Sequence, residues 1–180
     1  MFEFESKGTM NDLIRLESDL LTHLGLDLPT LHDYEDLAKQ YDVELLETEH
    51  EDMMSKDIGK SVMIQNFPER TSPFWNMKHD KDGIFNKVDV ILYGQETIGS
   101  AERATDREEM RYYFETISEG GYKEKLYELF GKDRVEKELQ EYLDNDFFPR
   151  FGGGIGVTRL IRALKLKEES KFVKEAYPAL

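Results

Sequence analysis

The sequence contains no cysteine, which excludes disulfide bonds, thiol catalysis and thiolate metal sites. That absence suits a reducing compartment, and the chain is expected to be cytoplasmic. No apolar run approaches the ~20 residues a membrane-spanning helix needs. The acidic, mixed start MFEFESKG does not follow a signal-peptide pattern. No repeat, linker or low-complexity stretch interrupts the 180 residues, so a single domain over 1–180 is expected. Positive charge is also short. Lys plus Arg number 24 against 38 Asp plus Glu, a net charge of −14. No basic cluster offsets it. Extended contact with tRNA or DNA is therefore disfavoured, whereas one concave phosphate pocket is not. What is present suffices for a core, since hydrophobic residues make up 39% of the chain.

Local patterns divide the chain. Thr9 is placed to N-cap a helix from Met10 to about Leu24, which Gly25 ends. Pro29 and Thr30 open a shorter helix through about Gln40. Residues 42–60 are polar and acidic, and read as a surface segment with at most a short strand. SVMIQNFP (61–68) reads as a buried strand. KVDVILYG (87–94) and ETIGSAER (96–103) read as an antiparallel hairpin joined at Gly94 and Gln95. Helices follow over about 106–118, 122–130 and 133–144, the first broken by Gly120 and Gly121. RFGGGIG is a strand feeding a helix over 157–166, and the tail carries a short helical pattern ending at Pro178. The class is α+β, with a mixed, mainly antiparallel sheet flanked by helices.

The most informative stretch is FPRFGGGIGVTRLIRAL, residues 148–164. Glycines let a backbone approach a ligand closely, and the N-terminus of the following helix favours anions. GGGIGVTR lacks the Lys-Ser/Thr of a P-loop, and it has no Rossmann spacing in a βαβ unit. A tightly packed strand that merely needs small residues is the alternative. Arg159, just past the last glycine, sits where it can reach a phosphate or a purine ring held against the bare strand.

This arrangement resembles motif 3 of class II aminoacyl-tRNA synthetases. Other segments resemble the same family in the same order. FPERTSPFWNMK (67–78) and VDVILYGQETIGSAER (88–103) are similar to segments of the aspartyl and asparaginyl members, and FEFESKGTMNDLIRLESDLL (2–21) to the end of motif 2 and its following helix. The closest likeness is to asparagine synthetase-like paralogues of the asparaginyl enzymes.

The resemblance implies roles residue by residue. Glu96 and Asp89 would hold the Mg²⁺ that accompanies ATP, hard oxygen ligands suiting that ion. On the residues alone, two carboxylates on neighbouring strands are equally a solvated face, although Asp89 is a polar residue in an apolar strand. Gly154 and Gly156 would floor the ATP site, and Arg159 would complete it. Arg103 matches the arginine that grips the amino acid's side chain, with Glu102, Gly99 and Ser100 beside it. Gly99 stands where aspartyl members carry serine and asparaginyl members glycine. Thr158 departs from the glutamate usually found before the arginine. Phe74 and Trp75 read as core aromatics rather than pocket walls. His23, His32, His50 and His79 show no ligand spacing.

The implied function is ATP-dependent adenylation of aspartate or asparagine. Either a tRNA ligase or a tRNA-independent asparagine synthetase using ammonia fits, and the charge leans toward the second. Motif 1, the motif 2 arginine and the adenine-stacking aromatic have no counterpart, so the resemblance covers an N-terminally truncated core. A homodimer or a partner chain supplying those parts, a truncated product, or a non-catalytic pseudo-synthetase that binds an amino acid or a protein all remain open.

Overall fold

The apolar runs around Val62 and Val90 become the middle of one sheet. The computed structural model describes residues 1–80 and 83–176. In chain order the elements are β1 (Phe2–Lys7), α1 (Met10–His23), β2 (Thr30–Asp33), α2 (Tyr34–Gln40), α3 (Thr48–Asp57), β3 (Ser61–Pro68), β4 (His79–Asp80) and β5 (Ile84–Leu92). Then come β6 (Gln95–Glu102), α4 (Arg107–Thr116), α5 (Gly121–Phe130), α6 (Lys132–Leu143), β7 (Arg150–Ile155) and α7 (Val157–Ala176). Strand order is β1-β7-β6-β5-β3-β2, with β4 pairing on β5. Every pair is antiparallel except β2 with β3. The expected mixed, mainly antiparallel sheet flanked by helices is what forms.

Alternation along the strands sorts side chains onto two faces. Val88, Val90, Ile98, Phe151 and Ile155 point to one face, where they pack with Leu13 and Leu21 of α1 and Ala163 of α7. Val62, Ile64 and Ile91 point to the other, where α2 and α3 cover only the β3 end through Leu37, Ala38 and Met54. The rest of that second face, over β6, β7 and β1, is left open as a cleft. A third cluster joins α4 and α6 around Trp75, which packs edge-on to Phe114 and Tyr142, as expected of a core aromatic.

Four local expectations differ. The chain after Pro29 first makes β2 and turns helical only at Tyr34. Thr30 and Leu31 are exposed on an edge strand, so their pattern carries little apolar signal. The acidic segment 42–60 contains α3, seated by buried His50, Met54 and Ser55. A single deeply buried apolar residue, Met54, is too little to show as a periodicity. The C-terminal helix runs on to Ala176, because nothing between Leu166 and Ala176 breaks it; Pro178 lies outside the described residues. The β5–β6 turn is Tyr93-Gly94, both at positive φ (50° and 78°), one residue earlier than expected. That is the two-residue turn whose twist suits a hairpin.

Glu17 of α1 is buried against the packed face, and neither carboxyl oxygen finds a hydrogen-bond partner. Burial pushes its pKa up to about 7, nearby Ser100 relieves part of this, and Asp89 adds repulsion. Ser100's hydroxyl is directed instead at Val88 O, 3.3 Å away. The folded protein thus binds this proton more tightly than the unfolded chain. The stability so contributed is complete below about pH 4.5 and is lost as pH rises through about 7. Glu17→Gln should raise stability at pH 8 by about 3 kcal/mol and leave it nearly unchanged at pH 4.5. Urea titrations at the two pH values check this, and a variant equally stable or weaker at pH 8 contradicts it.

Candidate active site

Register places Asp89, Gly99, Gly154 and Glu3 in one row across the open face, and Lys87, Ala101, Gly152 and Glu5 in the next. By simple alternation Glu96 would belong to the opposite face, three residues from Gly99. A bulge at Thr97 corrects this: Val90 pairs with Ile98, but Ile91 pairs with Glu96. The extra residue turns Glu96 into the cleft. The bulge is tied down by Gly156 N–H donating to Thr97 O (2.8 Å).

Glu96 and Asp89 then converge over Gly99. A Cβ at Gly99 would lie 2.9 Å from Glu96 Oε1 and 3.5 Å from Asp89 Oδ1. Asp89 Oδ1 is buried without a hydrogen-bond partner, while Oδ2 is paired with the Lys87 ammonium. Burial raises the Asp89 pKa to about 6, Lys87 opposing and Glu96 adding to the rise. An orphaned carboxylate oxygen and a cradle kept open by a glycine fit a hard divalent cation such as Mg²⁺. Among the described residues no group of three or more His, Asp or Glu is placed to hold a metal ion by itself. Two carboxylates, with water and phosphate oxygens completing the shell, is the usual arrangement for Mg²⁺.

The glycines of β7 separate into two kinds. A Cβ at Gly153 would sit 2.4 Å from Ser100 Cβ and 2.7 Å from Gly99 O, and one at Gly152 would sit 2.6 Å from Phe4 O, so both are required by strand packing. At Gly154 the obstacle is the flexible Met1 side chain, with Sδ at 2.7 Å; this glycine is bare toward the cleft. The tight-packing alternative therefore holds at Gly152 and Gly153. Beyond Gly156, α7 begins, and Arg159 in its first turn donates to Glu96 O (2.7 Å). Gly154, Gly156, Thr158 and Arg159 border a hollow of about 330 Å³. Arg103, Glu5, Gly99 and Gly153 border one of about 520 Å³. Arg103 Nε donates to Glu5 Oε1 (2.9 Å).

Seven of the residues singled out in the sequence thus share one face: Asp89, Glu96, Gly99, Arg103, Gly154, Gly156 and Arg159. Ser100 and Glu102 do not join them, because strand alternation sends them to the helix-covered face. Glu102 is buried there and accepts from Met10 N–H at the start of α1 (3.2 Å), Lys78 Nζ (2.9 Å) and Asn86 Nδ2 (2.9 Å). It anchors a helix N-terminus. Glu51 of α3 was not foreseen. Its carboxylate accepts from Glu96 N–H (2.5 Å), and burial raises its pKa, with repulsion from Glu96 adding to the rise. Only the tertiary position of α3 brings it in.

The sequence profile of tRNA synthetases class II (D, K and N) matches residues 6–178. The chain belongs to this family. Solved structures carry the same fold. An asparaginyl-tRNA synthetase from Entamoeba histolytica, in complex with asparaginyl-adenylate, superposes with a TM-score of 0.70 at 20% identity, covering 90% of this chain and 43% of that one. An aspartyl tRNA synthetase from the same organism gives 0.67 at 17%, covering 90% and 39%. The Pyrococcus horikoshii asparaginyl-tRNA synthetase with asparaginyl-adenylate gives 0.67 at 15%, covering 90% and 43%. The chain thus spans about two-fifths of the length of these relatives. Among curated protein sequences none matches it.

Proposed function

We propose that this class II domain activates aspartate or asparagine with ATP. The observation that carries the reading is the convergence of Asp89 and Glu96 over Gly99, with Arg159 at one end of the same face and Arg103 at the other. Asp89 and Glu96 would hold Mg²⁺, which when bound supplies positive charge to the phosphates. The chain's own task is placement. Gly154 and Gly156 give the nucleotide a floor without side chains. Arg159, fixed on Glu96 O, presents its guanidinium to the nucleotide. Arg103 receives the amino acid's side-chain carboxylate or amide in place of Glu5. In the reaction a carboxylate oxygen of the amino acid bonds to the α-phosphorus, the bond from that phosphorus to the bridging oxygen breaks, and pyrophosphate leaves. No protein group has to take a proton. The acceptor is then a tRNA ribose hydroxyl or, after β-carboxylate activation, ammonia. The net charge of −14 favours the tRNA-independent course.

A second reading, an amino-acid-binding module without adenylation, is favoured by the Glu5 carboxylate already seated on Arg103. Aspartate- or asparagine-dependent exchange of labelled pyrophosphate into ATP separates the two. Exchange supports activation; amino-acid binding without exchange supports the module. Glu96→Gln is expected to weaken Mg²⁺-dependent ATP binding by about tenfold or more, with circular dichroism unchanged. ATP binding equal to that of the parent chain contradicts the metal assignment.

A further inference from the structure

A smaller hollow, of about 170 Å³, lies apart from the candidate site and shares no residue with the hollows bordered by Arg103 and Arg159. It is bordered by the chain that follows β3, by Phe85 of β5 and by the C-terminal end of α4.

Its walls are aromatic. Phe85 is fully buried, and its ring meets that of Tyr113 edge-on, with centroids 5.0 Å apart. Tyr113 in turn meets Tyr112 edge-on at 5.2 Å. The rings therefore stand steeply to one another, at 70° and 75°, rather than stacking flat. Pro73 and Ile117 add aliphatic surface. Tyr112 is 58% exposed, although α4 buries Met110 and Phe114 in its core-facing stripe. Helix packing does not account for a large aromatic residue left at this rim.

The charge at the hollow is negative. Glu69 stands on its border, and no lysine, arginine or histidine lies there with it. Among the described residues the Glu69 carboxylate has no ion-pair partner. α4 ends at the hollow, and its last turn carries no basic residue to offset the negative end of the helix dipole. Burial pushes the Tyr113 hydroxyl up to about 12, and repulsion from Glu69 and Glu109 adds to the rise. Ring faces, helix end and carboxylate all favour a positive charge.

The lining also selects among cations. A bare ammonium is strongly hydrated and has three N–H bonds to give, whereas ring faces and aliphatic carbon offer no lone pairs. A fully methylated ammonium has no N–H to satisfy and presents positive carbon-bound surface, which suits ring faces. We propose that this hollow binds a trimethylammonium head group, with Phe85, Tyr112 and Tyr113 as its walls and Glu69 as its counter-ion. The head group is borne either by a free small molecule of the choline type or by a methylated lysine side chain. The proposal stands independently of the activation reading.

Calorimetry on the full chain tests this with three probes: choline, the amide of N-acetyl-trimethyllysine, and the uncharged isostere of choline in which carbon replaces nitrogen. At least one of the two cations should bind saturably, and about tenfold or more tightly than the isostere. Tyr112→Leu and Glu69→Gln should each weaken that binding by about fivefold or more, while Tyr112→Phe, which keeps the ring, should retain it. Both side chains are exposed, and circular dichroism checks that the variants fold. Binding of choline alone supports a free small molecule as the ligand, and binding of the lysine amide alone supports a modified protein segment. Equal binding of the isostere makes the hollow a merely apolar recess and overturns the proposal. So does binding that Tyr112→Leu and Glu69→Gln leave unchanged, and so does failure of both cations to bind.

Discussion

Gly153→Ala destabilises the domain by about 3 kcal/mol, whereas Gly154→Ala leaves stability within about 0.5 kcal/mol and abolishes nucleotide binding. The two residues are adjacent in sequence and are opposed in what a methyl group meets. At Gly153 it meets Ser100 Cβ at 2.4 Å and Gly99 O at 2.7 Å, a side-chain root and a neighbouring strand's backbone, neither of which can yield without parting β6 from β7. At Gly154 it meets Met1 Sδ, the far end of a flexible exposed side chain, and it fills the bare floor of the cleft. Thermal unfolding and ATP titration of the two variants read stability and binding separately. Equal destabilisation by both would make the whole glycine run a packing device.

Arg103→Ala should lower affinity for the amino acid by about 100-fold or more while the fold persists. Its guanidinium is mostly shielded at the end of the cleft, so a substrate carboxylate or amide there meets little competing water. Its charged partner among the described residues is Glu5, itself half-exposed, and such a pair contributes at most about 1 kcal/mol to stability. Because a substrate must displace Glu5, Glu5→Gln should tighten amino-acid binding. Titration with aspartate and asparagine checks both variants. Unchanged affinity in Arg103→Ala removes it from the site.

The sequence carried the fold well wherever apolar strands met turn residues. VILYGQET reads as a hairpin because Gly94 marks a tight turn, with only the turn's position off by one residue, and RFGGGIGVTR reads as a strand running into a helix because the glycines stop where the amphipathic pattern starts. What was not legible depended on register. Ser100 and Glu102 neighbour site residues in sequence, and alternation removes them to the packed face. Glu96 enters the cleft only through the bulge at Thr97, and no local pattern announces a bulge. Glu51 reaches the cleft only because α3 packs beside β6. β2 and α3 escaped because a short edge strand and a nearly all-polar helix bury too little to leave a period.

On the activation reading, one face of this sheet forms a joint site for ATP and either aspartate or asparagine. Calorimetry on the purified chain with Mg·ATP, aspartate and asparagine, each alone and then paired, tests it most directly. ATP and one of the two amino acids should bind, each tightening the other, and the preferred amino acid names the substrate. Binding of neither ATP nor amino acid contradicts it.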